Sequence, residues 1–149
     1  MDLRSPKLQT ILDTWIEEDL GTGDLTRFAL NNQKVSAHWI AKEQGTFCGG
    51  ELIKLLFHKI DPTVDTQLLI KDGKQFSKNQ KLIELHGPCS SLLAGERVSL
   101  NIGMHLSGIA TTTSLLVEKL SNSNIKLADT RKTTPGLRIF EKYAFYCGG

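Results

Sequence analysis

The chain is short of net charge, of cysteine and of long apolar runs. Its 149 residues carry a formal net charge of only +2 at pH 7, too little to argue for nucleic acid on electrostatics alone. No apolar run approaches the ~18 residues of a membrane span. The opening residues Met1-Asp2-Leu3-Arg4-Ser5-Pro6 lack the apolar core of a signal peptide. The expectation is therefore a cytoplasmic protein that binds neither nucleic acid nor membrane. Cysteine is limited to Cys48, Cys89 and Cys147. An odd number, far apart and in no metal-ligand spacing, fits free thiols in a reducing compartment. The four histidines are equally scattered, so no zinc or other protein-held metal is expected. No Ser-His-Asp or Cys-His grouping, internal repeat or low-complexity tract is present.

What remains is ordinary globular composition, with 40% apolar and 23% charged residues. The length suits one domain, or one domain plus part of another. Ser5-Pro6 opens a helix whose apolar face is Leu8, Ile11, Leu12, Trp15, Ile16 and Leu20, and Gly21 stops it. Residues 35–42 alternate as a strand, with Val35, Ala37 and Trp39 on one side. Residues 51–60 read as a short helix with Ile53, Leu56, Phe57 and Ile60 inward. Residues 66–70 and 81–86 read as strands, with a hairpin or tight-turn signal at Lys71-Asp72-Gly73-Lys74 between them.

Residues 92–120 contain no proline and read as a long helix striped by Val98, Ile102, Ile109, Leu116 and Leu120. Gly103 and Gly108 each cost such a helix about 1 kcal/mol relative to alanine. They point to close packing against another backbone or to a break near Ser107-Gly108. A loop at 122–124, a strand around Ile125 and Leu127 and a helix over 135–147 follow. This last unit looks like the first βα of a parallel α/β array, in which chemistry sits at the C-terminal ends of strands. One strand and one helix cannot close a barrel. The expectation is a truncated chain, or one that needs a partner.

The strand end carries Asp129-Thr130-Arg131-Lys132-Thr133-Thr134-Pro135-Gly136. Thr134 fits an N-cap and Pro135 a first helical residue. Arg131 and Lys132 would then stand at a helix mouth, where bare N–H groups and the helix dipole favour an anion. Arginine grips a carboxylate with a planar fork, and lysine acts as a point charge. The alternative is a solvated basic turn. Arg97, Asn101 and His105 repeat at helical spacing; the stripe could present Arg97 to an anion, but periodicity favours an exposed or inter-helix polar face. Glu18, Asp19 and Asp24 lack calcium-loop spacing and read as capping and turn residues. His38, His58 and His86 read as surface or packed histidines. Arg138 reads as a solvent-facing helix arginine or as an addition to the basic cluster.

Three segments together resemble the quinolinate phosphoribosyltransferase family. They are residues 18–26, with Glu18-Asp19-Leu20-Gly21-Thr22-Gly23-Asp24-Leu25-Thr26; Gly95-Glu96-Arg97 with Asn101 and residues 106–111; and residues 129–138 with Glu141-Lys142-Tyr143-Ala144. The resemblance implies an open-faced α/β sandwich domain over 1–110 and the incomplete start of an α/β barrel over 111–149. It implies transfer of phosphoribose from phosphoribosyl pyrophosphate to quinolinate, then decarboxylation to nicotinate mononucleotide, with magnesium accompanying the pyrophosphate. It also implies a homodimer or larger oligomer. By position, Arg131 would bind a quinolinate carboxylate and Lys132 would lie near the phosphoribosyl pyrophosphate. Thr130 and Thr133 would join this substrate site, and Arg97 would be lent to the neighbouring subunit. No catalytic residue is assigned, and the 149 residues alone are expected to be inactive. Three other readings stand beside this one. One is a related phosphoribosyltransferase-like protein associated with molybdenum transport. The others are a biotinyl- or lipoyl-like carrier at Lys71 or Lys74, and a dimerising module.

Overall fold

The computed structural model describes residues 2–21, 33–121 and 124–149. Residues 22–26 of the acidic segment, with Asp24, and the loop residues Asn122 and Ser123 lie outside the described residues. The first helix, α1 (Pro6–Leu20), starts on its proline and ends at Gly21, whose φ of 48° no helix tolerates. Leu8 and Leu12 are buried, and Ile11, Trp15 and Ile16 pack beside them.

Strands β1 (Lys34–Ile40), β3 (Asp65–Leu68) and β5 (Lys81–Pro88) form an antiparallel sheet in the order β1-β5-β3. Its outer face is polar, because the register sets His38 opposite Glu84 and Ser36 opposite His86. His38 Nε2 meets Glu84 Oε1 at 2.6 Å, and Ser36 Oγ meets His86 Nδ1 at 3.1 Å. These histidines, like the exposed His58, are surface residues. Their partners are distant in sequence and come into reach through strand pairing.

The inner face is covered by α2 (Gly50–Ile60) and α3 (Cys89–Leu120), which makes the sandwich open on one side. The helix α2 is buried on two sides. Ile53 and Phe57 join the sheet-side core with Phe47, Ile83 and Leu85, while Leu52 and Leu56 join a second core with Leu8, Leu12, Leu106 and Phe140. The 71–74 segment makes the expected tight turn, with the Lys74 N–H on the Lys71 carbonyl at 3.1 Å. It does not close a hairpin between the two expected strands. A further short strand, β4 (Gln75–Phe76), intervenes and pairs with β2 (Gly45–Thr46).

The long helix α3 runs unbroken through Ser107 and Gly108. Gly103 is required by close packing, but against a side chain rather than a backbone: an added Cβ would lie 2.6 Å from Trp39 Cζ3. Around Gly108 there is open space. Leu116, expected in the buried stripe, is 42% exposed, and the buried line runs through Val98, Leu106, Ala110 and Thr113 instead. Residues 125–130 form no strand among the described residues, because a strand needs a paired neighbour and none lies alongside. The last helix, α4 (Arg138–Gly148), packs Phe140 and Ala144 against α3 and α1. No helix among the described residues is long and apolar enough to cross a membrane.

Candidate functional site

The loop between the end of α3 and α4 carries the predicted cations. The helix behind it starts later than the sequence implies. Gly136 has a φ of 83°, which is left-handed and cannot continue a helix from Pro135. Residues 135–137 therefore form a turn, with the Leu137 N–H on the Thr134 carbonyl at 3.0 Å. The N-cap is Leu137, not Thr134, and it offers no side-chain cap.

The first turn of α4 reaches back to shape the loop. Arg138 Nε donates to Thr133 Oγ1 at 3.1 Å, and its Nη2 donates to the Arg131 carbonyl at 3.4 Å. Arg138 is thus neither purely solvent-facing nor part of the free basic cluster. Glu141 Oε2 accepts the Thr134 N–H at 3.1 Å, and its Oε1 meets His105 Nε2 at 3.0 Å. Hydrogen bonding from Thr134, then from His105, holds the Glu141 carboxyl below the ordinary glutamate range, against an opposing push from burial. Lys142 Nζ pairs with Asp129 Oδ2 at 2.5 Å. Within the loop, the Lys132 N–H donates to Thr130 Oγ1 at 3.1 Å and the Thr133 N–H to the Arg131 carbonyl at 3.0 Å.

The side chains of Arg131 and Lys132 are exposed. Among the described residues neither has an ion-pair partner. Arg138 and Lys142 are spent on loop contacts, so the loop presents two adjacent free cations on a braced backbone. Such a surface can take a doubly charged anion.

The polar stripe of α3 borders the same region. Asn101 and His105 line a cleft of about 370 Å³ with Trp15, Asp19, Leu137 and Phe140. The rings of Trp15 and Phe140, both in its lining, lie 4.9 Å apart and are tilted by 46°. Arg97 stands at its Asp19 side, where Nη1 donates to Asp19 Oδ1 at 2.8 Å while the arginine side chain stays 74% exposed. Asp19 is therefore an ion-pair partner rather than a cap. Thr130, Arg131, Lys132 and Thr133 come together on one loop. Arg97 is held at Asp19 instead, with no hydrogen bond to that loop among the described residues.

Sequence reading gave Glu141 and the Asp72–Tyr143 pair no role. Only the (i, i+3) spacing of Arg138 and Glu141, one turn inside the helix, signals the brace. The fold also brings Cys48, Asp72 and Cys147 together, with their ligand-capable atoms within 4.8 Å of one another. The wide sequence separation of the two cysteines concealed this. The 71–74 turn is not a free tip of the kind a carrier lysine needs, because Asp72 is tied to Gly49, Gly50 and Tyr143.

Comparison with known proteins agrees across the chain. The profile of the quinolinate phosphoribosyl transferase N-terminal domain matches residues 24–107, and that of the C-terminal domain matches residues 109–149. The chain is 46% identical over 144 residues to the probable nicotinate-nucleotide pyrophosphorylase [carboxylating] of Bacillus subtilis, covering 96% of this chain and 50% of that one. The structure of the nicotinate-nucleotide pyrophosphorylase from Francisella tularensis superposes with a TM-score of 0.93 at 34% identity, over 98% of this chain and 54% of that one. NadC from Streptococcus pyogenes gives 0.93 at 37% identity, over 100% and 54%. The chain spans about half the length of the relatives it matches.

Proposed function

The chain belongs to the quinolinate phosphoribosyltransferase family, and from that premise we propose that its protein transfers phosphoribose from phosphoribosyl pyrophosphate to quinolinate. The ring nitrogen forms the new bond to the ribose as pyrophosphate leaves. Carbon dioxide then departs and leaves its bonding electrons on the ring carbon, which takes up a proton from solvent to give nicotinate mononucleotide. The observation that carries this reading is the braced loop with two unpaired cations. Quinolinate bears two adjacent carboxylates, and a cation pair on a preorganised backbone offsets their mutual repulsion. Arg131 takes a carboxylate through its fork, and Lys132 lies toward the phosphoribosyl pyrophosphate. The Thr130 and Thr133 hydroxyls fix the loop that aims them. Arg97, mostly exposed, reaches the site of a neighbouring subunit in a homodimer or larger assembly. The three free thiols fit a cytoplasmic setting.

Magnesium has no carboxylate cradle in this loop, since Asp129 is paired with Lys142. Among the described residues the metal-capable group is two sulfurs and one carboxylate, a donor set unsuited to a hard cation. These residues do not fit magnesium, which would enter on the pyrophosphate itself.

Calorimetric titration with quinolinate tests the assignment. Arg131→Ala should weaken binding by about 10- to 100-fold, the worth of a charge-assisted contact. Arg131→Lys should recover only part, because an ammonium lacks the fork. Unchanged binding in Arg131→Ala overturns the reading. The 149 residues alone should show no steady quinolinate-dependent pyrophosphate release. Sustained release would show that this half-length chain suffices.

A further inference from the structure

Outside the cation loop, the strongest cluster of reactive side chains joins the end of the chain to the start of α2. Cys48 lies in the link from β2 to α2, and Cys147 lies in the last turn of α4. Both are free thiols; Cys48 is fully buried and Cys147 half-buried. Their sulfurs and an Asp72 carboxylate oxygen lie within 4.8 Å of one another.

Asp72 is already committed. Its Oδ1 accepts the N–H groups of Gly49 and Gly50 at 3.0 and 2.9 Å, and its Oδ2 accepts the Tyr143 hydroxyl at 2.8 Å. The two sulfurs lie beside each other, with Tyr143 also against Cys147. The backbone beside Cys48 is pinned by its N–H on Ser107 Oγ at 3.1 Å and by the Gly73 N–H on the Phe47 carbonyl at 2.8 Å.

We propose that Cys48 and Cys147 are a peroxide-responsive thiol pair that closes to a disulfide between the β2–α2 link and α4. The chemistry is asymmetric. The neighbouring Cys147 sulfur, then burial, raises the Cys48 thiol, and the neighbouring Cys48, with Tyr143, lowers Cys147 against the opposing effect of burial. Cys147 is thus the more thiolate-like and the more accessible sulfur, the profile of an attacking cysteine. Its thiolate attacks one oxygen of hydrogen peroxide. The S–O bond forms, the O–O bond breaks, and the departing hydroxide takes a proton to become water. Cys48 then attacks the sulfenic sulfur and expels the second oxygen, which leaves as water with the Cys48 proton. Two thiols and one peroxide give one disulfide and two waters.

Peptide mapping of the reduced, purified protein after brief treatment with hydrogen peroxide tests the pair. The expected result is a Cys48–Cys147 cross-linked peptide lighter by two hydrogens. Cys147 should be consumed about ten-fold faster than the similarly half-buried Cys89. Cys48→Ser should instead trap Cys147 as a sulfenic acid that a dimedone probe captures. If that variant does not fold, the wild-type map still decides. Three results overturn the proposal: Cys147 driven to the sulfinic acid with no cross-link, Cys89 reacting as fast as Cys147, or purified protein carrying stoichiometric zinc that shields both thiols.

Discussion

Two charged turns abut helix N-termini in this molecule, and the fold treats them in opposite ways. The 71–74 turn lies against the start of α2 and gives it a carboxylate. Asp72 satisfies two bare N–H groups at a glycine N-cap that has no side chain of its own to offer. The 130–134 loop lies against the start of α4 and gives that helix nothing comparable. Instead the helix reaches outward, and Arg138 and Glu141 hold the loop while Arg131 and Lys132 stay unpaired. In the first turn the carboxylate is consumed within the protein, although Lys71 and Lys74 stay exposed; in the second both cations are held out on a loop that the helix braces. Composition does not separate the two, since each offers two cations and a carboxylate within a few residues. What separates them is where the counter-charge sits in three dimensions.

The largest expected effect follows from the first turn. Asp72→Ala removes three hydrogen bonds to one half-buried carboxylate and leaves the Gly49 and Gly50 N–H groups without their acceptor. It should cost about 3 kcal/mol, on the scale of hydrogen bonds to charged groups. For a chain of this size that lowers the melting temperature by about 6–12 °C. Arg131→Ala should leave stability within about 0.5 kcal/mol of wild type. Thermal melts of the two variants side by side break the comparison if Arg131→Ala is the more damaging.

The sequence made one of these turns easier to read than the other. The Asp-Gly pair and the flanking alternation announced a tight turn locally. Its capping of α2 depends on Gly49 and Gly50, which lie far back in the chain, and periodicity carries no signal for that. The cation loop was legible as a polar insertion before an apolar helix. Its helix boundary was misread because proline at a first helical position is a strong local signal, while the left-handed Gly136 overrides it without leaving a distinct pattern. The missing strand at 125–127 has the same origin: alternation marks the capacity to pair, and pairing needs a neighbour. By contrast, α1, β1 and α2 were readable because each buries a face whose period matches its own geometry.

Gly136→Ala probes the loop turn directly. Open space surrounds that glycine, so an added methyl group meets nothing, and only the backbone conformation resists it. Holding alanine at a φ near 83° should cost about 1–2 kcal/mol. The lost order should show as shifted amide resonances for residues 130–138, with the 71–74 turn unmoved. Shifts of equal size in both turns would mean that they are coupled, contrary to the contrast drawn above.

The smallest effect, and the sharpest, concerns Glu141. Its folded-state carboxyl sits below the ordinary value of 4.5 because Thr134 and His105 hydrogen-bond the charged form. A depressed carboxyl contributes stability that is fully present above its unfolded-state titration, and this is lost as pH falls through the folded value. Glu141→Gln removes that contribution, so wild type should exceed the variant by up to about 1 kcal/mol at neutral pH. The gap should close as pH is lowered through and below the ordinary glutamate range. Paired melting curves from neutral pH downward measure it. A gap that stays constant across that range would mean that Glu141 braces the loop through packing rather than charge. The loop would then be held as the 71–74 turn is not, by shape instead of by a carboxylate on backbone N–H groups.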